Sequence, residues 1–310
     1  MGKAIHPTAI VEDGAALGAG VEIGPFCIVG PSVKLGDGVR LISHAVVTGE
    51  TELGARCVVH PGAVLGGESQ IRGHDPAGTC LVVGEDTVIR ECVSFSLGSA
   101  KGHRVTEIGA RGFFMAYSHI GHDCRVGNDV TFANGAQLAG HVDIGDGVIL
   151  GGLSAVQQFG RIGRGAMLGG ISGCNEDIIP YGIAFGTHSK LTGLNLVGLK
   201  RRGLPRANIH ALRAAFRAIF HETEGSIADR ARKARETWGD IAEVQEIVDF
   251  ILAPAKRPIC TARKRGSEAA EECCRRCQRQ HWVSSPAAES CLWPSPKARA
   301  RAATGCSSWR

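Results

Sequence analysis

The chain has 310 residues, 44% hydrophobic and 21% charged, with a formal net charge of +5. That length supports a large core plus a second small domain; with no run of about 18 apolar residues and no apolar leader, stable membrane insertion is not expected, and the protein is expected to be cytoplasmic. The charge is lopsided: residues 259–310 hold ten Lys or Arg against four Glu, so the first 258 residues sum to −1 and a nucleic-acid partner loses its electrostatic support.

From Ile5 to Ile71 an aliphatic residue returns at every sixth position, through Val11, Leu17, Ile23, Val29, Leu35, Leu41, Val47, Leu53, Val59 and Leu65. Glycine often follows it, as at Gly18, Gly24, Gly36 and Gly54, and a small or β-branched residue lies four places on, as at Val21, Val33 and Ala45. This period matches no helix and no alternating strand. It fits a parallel β-helix with three flat sides of six residues. Each aliphatic residue then points inward and stacks on its counterpart 18 positions away, leaving the glycine to turn the corner. Successive coils lie roughly 4.8 Å apart. A β-sandwich would instead need alternation and turn signals every 8–12 residues or so. Cys27, Cys57, Cys124 and Cys174 fall singly among the hexads and read as small, reduced core residues.

Val83, Ile89 and Phe95 keep the same phase, whereas 72–82 and 96–107 are polar and glycine-containing. These segments read as two loops projecting from the stack, a common location for function. The beat resumes one register later, from Ile108 through Phe114, Ile120, Val126, Phe132, Leu138, Ile144, Leu150, Val156 and Ile162 to Leu168.

The second run carries the chemistry. With 18 residues per coil, His122, Gly140 and Gln158 form one column, and Asp123, His141 and Phe159 form the next. This set suits acyl transfer to a hydroxyl. His122 would act as general base, Asp123 would orient it, and the Gly140 N–H would stabilise the oxyanion. Other readings remain: a hydrogen-bonded surface histidine, Cys124 as a nucleophile activated by His122, or zinc held by His119, His122 and His141.

From Pro205 onward helical spacing replaces the glycine beat. Leu212, Phe216, Ile219 and Phe220 form one apolar face; Ile227, Ala231, Ala234 and Trp238 form another; Ile241, Val244, Ile247, Val248 and Ile251 suggest a last helix ending near Pro254. Arg206, His210, Arg213 and Arg217 align as one stripe, with Lys200, Arg201 and Arg202 just ahead. The stripe reads either as a solvated face or as a dock for an acidic carrier protein or a pyrophosphate. Residues 259–310 hold six of the twelve Cys and three of the four Trp. They read as a disordered, non-native tail; Cys273, Cys274 and Cys277 lack a second pair suited to metal. The expected domains are thus a β-helix over 1–190, helices over 191–258 and the tail over 259–310.

The hexads resemble those of the hexapeptide-repeat acyltransferases, which implies that the β-helix is left-handed. The segments Ile5-His6-Pro7-Thr8-Ala9, His119-Ile120-Gly121-His122-Asp123-Cys124, Leu138-Ala139-Gly140-His141 and Asn195 to Gly203 resemble one family within that group. It is the bacterial acyl-[acyl-carrier-protein]–UDP-N-acetylglucosamine O-acyltransferases, the first enzymes of lipid A synthesis, and the likeness covers nearly all of 1–258. The resemblance implies a homotrimer with sites between neighbouring β-helices, no bound cofactor, and transfer of a 3-hydroxyacyl chain from acyl carrier protein to the sugar 3-hydroxyl. It further implies that Gln70, His119, His141, Gln158, Asn195, Arg201 and Arg202 hold the UDP-sugar, and that Gly152 and Gly170 line an acyl groove suited to a longer chain. The sequence departs from the family at Gln70-Ile71-Arg72-Gly73-His74, at Ser96-Leu97-Gly98 and at Gln157. An acceptor bearing an amine is the alternative those departures raise. A zinc-dependent trimeric hydratase and a purely structural stack are alternatives of other classes.

Overall fold

Backbone pairing follows the six-residue beat. In the computed structural model, which describes residues 4–262, short parallel strands form three sheets, the three sides of a prism. The first side starts with Ala4–Ile5, the second with Ile10–Val11 and the third with Ala16–Leu17. Partners lie 18 residues apart in regular coils: Ala4 pairs with Glu22, Arg125 with Asp143, and Ile149 with Met167.

Two excursions interrupt this count, and both leave from the second side and rejoin on the third. Across the first, Val58 pairs with Val88, an offset of 30; across the second, Phe95 pairs with Ile120, an offset of 25. An insertion of twelve residues is two whole hexads and preserves the phase. An insertion of seven is one more than a hexad and produces the one-register slip. The excursions occupy 68–79 and 97–104, which corrects the expected 72–82 and 96–107: Cys80–Val83 and Val105–Ile108 are already strands paired with each other. Ile71 consequently sits in a loop and is exposed, and Ile5 is exposed on the first coil of the described residues.

The remaining residues on the beat fill the prism. Phe95, Phe114 and Phe132 are fully buried and meet edge-on, with ring centroids 5.0 Å apart at each step. Truncating one of them to alanine would cost about 3–5 kcal/mol. Cys27, Cys57, Cys124 and Cys174 are buried and unpaired.

The glycine after each aliphatic residue does not turn the corner. Its role is close approach: a Cβ on Gly24 would lie 1.8 Å from the Ile42 carbonyl oxygen of the next coil. The left-handed residue of the corner stands three places after the aliphatic one, and it is often not glycine: Phe26 has φ 58°, His44 50° and Tyr117 63°.

After Gly173–Cys174 the chain forms an antiparallel hairpin, Gly182–Phe185 with Lys190–Leu194, that closes the first side. Four helices follow: α1 (Leu196–Arg201), α2 (Arg206–Phe220), α3 (Ile227–Trp238) and α4 (Ala242–Leu252). The three expected apolar faces are the packed ones, with Leu212, Phe216, Ile219, Ala231, Ala234, Val244, Ile247 and Val248 buried. α3 starts in a capping box of Ser226 and Asp229. α4 is tied to the last coil where Arg164 bonds both Glu246 and Tyr181 and the Arg161 guanidinium stacks over Phe250 at 4.4 Å. Residues 259–262 also belong to this body: Ile259 bridges to Asp177 and Ala262 to Leu191. The expected tail therefore loses its first four residues; the rest of it, with Cys273, Cys274 and Cys277, lies outside the described residues.

Candidate active site

The corner between the second and third sides carries both excursions, followed by His122 and Asp123, then Gly140 and His141, then Gln158 and Phe159. Asp123, His141 and Phe159 occupy the left-handed corner position, with φ of 58°, 60° and 63°. Aspartate and histidine tolerate this conformation better than most residues.

The loop 97–104 folds over Asp123, which is 1% exposed. The Ser99 and Arg104 N–H groups donate to Oδ1 at 3.0 and 3.1 Å, and the Ser99 hydroxyl donates to Oδ2 at 2.5 Å. His122 Nδ1 lies 2.8 Å from the same Oδ2. Burial pushes the Asp123 carboxyl up, but hydrogen bonds from Ser99 and His122 outweigh it and hold the group below the usual carboxylate range. An ionised carboxylate only accepts, so Nδ1 carries the proton and Nε2 is left as the basic nitrogen.

That nitrogen faces Gly140. A Cβ on Gly140 would lie 2.3 Å from His122 Cε1 and 2.4 Å from Nε2. Only glycine admits the ring here, for reasons of space and not of backbone twist. The Gly140 N–H donates to no group among the described residues and so is free for a substrate oxygen. His141 stands beside the pair, its ring 5.0 Å from that of His122 and stacked on Phe159 at 4.6 Å. Burial lowers the His141 pKa, opposed by Asp123 and reinforced by His122, His103 and Lys256. Lys256 lies 3.8 Å over the Phe159 ring, and Arg257 donates to the Gln158 carbonyl oxygen at 3.0 Å. The Gln158 side chain is exposed, and Gln70 is exposed in the first excursion.

Cys124 is fully buried and donates to the Ala139 carbonyl oxygen at 3.1 Å; burial pushes its thiol up to about 12, which removes it as a nucleophile. His119 sits on the flat second side, with Nδ1 2.8 Å from the Ser94 hydroxyl, and burial lowers its pKa. Among the described residues, the group of three His, Cys or carboxylate donor atoms lying within 4.8 Å of one another is His122, Asp123 and His141, a set without His119. Its carboxylate is already engaged by Ser99, Arg104 and His122.

The other expected site residues lie at different corners. Asn195 caps α1, accepting from the Gly198 N–H at 2.9 Å and donating to the Gly165 carbonyl oxygen at 3.1 Å. Arg202 lies over Gly147 and Gly165 and donates to the Gly147 carbonyl oxygen at 3.2 Å. Both glycines mark the corner between the third and first sides. Lys200 and Arg201 are exposed at the end of α1, and Arg206, His210, Arg213 and Arg217 are exposed along α2. Gly152 and Gly170 stand at the remaining corner, between the first and second sides, beside Leu153 and Ile171, which are 69% and 72% exposed. Ser99, Arg104, Lys256 and Arg257 reach the His122 corner without any signal from the hexads; only the interruption at 96–107 pointed towards Ser99 and Arg104.

Comparison with known proteins places this arrangement. A family model described as "Udp N-acetylglucosamine O-acyltransferase; Domain 2" matches residues 177–260. An acyl-[acyl-carrier-protein]–UDP-N-acetylglucosamine O-acyltransferase of Sinorhizobium fredii is 45% identical over 262 residues, 84% of this chain and 97% of the relative. Its counterpart in Rhizobium etli is 49% identical over 255 residues, 82% of this chain and 93% of the relative. The solved UDP-N-acetylglucosamine acyltransferase of Campylobacter jejuni superposes with a TM-score of 0.79 at 36% identity, covering 84% of this chain and 100% of that one. With its motifs at the positions just described and its fold matched end to end over the coils and helices, the chain belongs to the acyl-[acyl-carrier-protein]–UDP-N-acetylglucosamine O-acyltransferase family.

Proposed function

We propose that His122 Nε2 removes the proton from the 3-hydroxyl of UDP-N-acetylglucosamine as that oxygen attacks the thioester of a 3-hydroxyacyl carrier protein. The Gly140 N–H receives the developing oxyanion, and the imidazolium, steadied by Asp123, returns its proton to the departing thiolate. The observation that carries this reading is the alignment of three groups: Asp123 Oδ2 2.8 Å from Nδ1, Nε2 facing Gly140, and a Gly140 N–H with no partner among the described residues.

The distribution of residues over three corners supports a homotrimer. A side of six residues spans up to about 20 Å, well beyond the reach of an arginine side chain. On this reading Arg202 at one corner and His122 at another would meet on one substrate by coming from different chains. The corner with Gly152 and Gly170 supplies a third element, an apolar edge of Tyr117, Leu153 and Ile171. All three hold left-handed backbone, with φ of 63°, 56° and 54°, which is costly for bulky side chains and most costly for a β-branched isoleucine. A neighbouring subunit and the acyl chain would cover that edge. Gln70, His119, His141, Gln158, Asn195, Arg201 and Arg202 would hold the sugar nucleotide. The exposed stripe Lys200, Arg206, His210, Arg213 and Arg217 would meet the acidic carrier protein, since clustered cations steer and hold an acidic surface.

The test is an assay with 3-hydroxyacyl carrier protein and UDP-N-acetylglucosamine, run on the native protein and on His122→Ala. Loss of turnover in the variant is expected, and equal rates would overturn the mechanism. Running the 3-amino sugar nucleotide in parallel decides between a hydroxyl and an amine acceptor.

A further inference from the structure

The loop 97–104 does more than fill a corner, because its contacts converge on one carboxylate. Ser99 is 1% exposed and reaches Asp123 twice, through its N–H to Oδ1 and through its hydroxyl to Oδ2. Arg104 adds an N–H to Oδ1, and Thr106 accepts from the Asp123 N–H at 2.9 Å. Between them Gly102 presses on the same group: a Cβ there would lie 2.3 to 2.5 Å from the carboxylate atoms. The loop is thus moulded to Asp123 and excludes water from it.

We infer that Ser99 is a positioning residue for the transfer reaction: its hydroxyl shares Asp123 Oδ2 with His122 Nδ1 and fixes the plane and the charge of the carboxylate that orients the base. This rests on His122 acting as general base. Two donors on one oxygen divide its charge between them, so the Ser99 hydroxyl sets how much of that charge reaches the imidazole. If the Ser99 hydroxyl is removed, Oδ2 keeps His122 as its one hydrogen-bonded side-chain donor, with His141 Nε2 3.7 Å away, and the share of charge that Ser99 held passes to the His122 side. The other titratable groups facing that ring are His119 on the second side and His141 one coil on, and neither is altered by a change at Ser99.

The experiment compares Ser99→Ala, Ser99→Thr and His122→Ala in the full chain, measuring kcat/KM against pH and the thermal midpoint. For Ser99→Ala a fall in kcat/KM of about tenfold to a hundredfold is expected, the scale of one lost hydrogen bond to a charged group. The acid limb of its pH profile moves to higher pH, because the base must lose a more tightly held proton. Ser99→Thr keeps the hydroxyl and restores the parent rate and limb. A Ser99→Ala profile that keeps the parent rate, or falls with the acid limb unmoved, overturns the role of Ser99. If His122→Ala itself retains full activity, the general-base reading has failed instead, so the two failures are distinguishable. A Ser99→Ala chain that does not fold is replaced by Ser99→Cys, whose weak donor should give an intermediate shift; an unshifted limb there also overturns the inference.

Discussion

The His122 imidazole rests on the Cα of Gly140, 18 residues away in the chain and one coil away in space. Replacing Gly140 with alanine puts a methyl group where Cε1 and Nε2 now stand, and the ring must swing off Asp123. A drop in kcat/KM of about a hundredfold or more is expected, the cost of misplacing a catalytic group by about 1 Å. The fold should hold, because Gly140 has no left-handed backbone to protect. Circular dichroism and kinetics on Gly140→Ala check both halves; near-parent kinetics would show that the ring has room to spare.

Separation of His122 and Arg202 by a whole side of the prism predicts complementation. His122→Ala and Arg202→Ala should each be inactive alone. When the two are unfolded together and refolded, mixed trimers should regain activity, since some clefts then pair an intact His122 with an intact Arg202 from another chain. If mixing restores nothing, both residues serve the same cleft from one subunit, or Arg202 serves none.

Gly170 stands at the apolar corner, where an added Cβ would lie 3.2 and 3.7 Å from the Gly152 carbonyl oxygen and nitrogen. Gly170→Met should therefore shift the preference towards a shorter acyl chain with kcat on that chain largely retained. Carrier proteins loaded with hydroxyacyl chains of graded length supply the measurement. An unchanged length profile would remove Gly170 from the groove.

Acid should weaken the corner in two stages. The folded pKa of His141 lies below its unfolded value of about 6.5, so the stability it contributes is present above that pH and is lost as pH falls through the folded value. The folded pKa of Asp123 lies below its unfolded value of about 3.9, so its contribution persists to lower pH and disappears last. Urea midpoints of the parent and His141→Gln between pH 7.5 and pH 5 check the first stage. The variant should show the flatter dependence, and parallel curves would contradict the assignment.

The hexads made much of this legible. Because inward residues repeat every six positions, three hexads measure one coil, and His122 could be placed over Gly140 without coordinates. What the repeat could not reveal comes from outside it. Ser99 and Arg104 reach Asp123 from an insertion whose path the period does not set, and Lys256 and Arg257 arrive from beyond the helices. α1 was hidden for a different reason: six residues are too few to display helical periodicity, and its one local signal was the capping Asn195. The corner turns were misread because glycine suggested backbone freedom, whereas the glycines after the aliphatic residues are there to let coils touch. Some left-handed corner positions are glycine, as at Gly147 and Gly165, but others belong to Asp123, His141 and Leu153, which sequence alone does not mark.

The two insertions, twelve residues and seven, have a final consequence. A coil finds its neighbour by hydrogen bonding, so the stack accommodates seven residues spliced in at a corner as well as twelve, although seven is not a multiple of six. Among the described residues, both excursions fall at the corner of His122. The prism therefore keeps its strand register while the chain varies in length beside His122. New covers for His122 could be grafted there, with 68–79 and 97–104 as ready-made attachment points, and the coils above and below would not have to change.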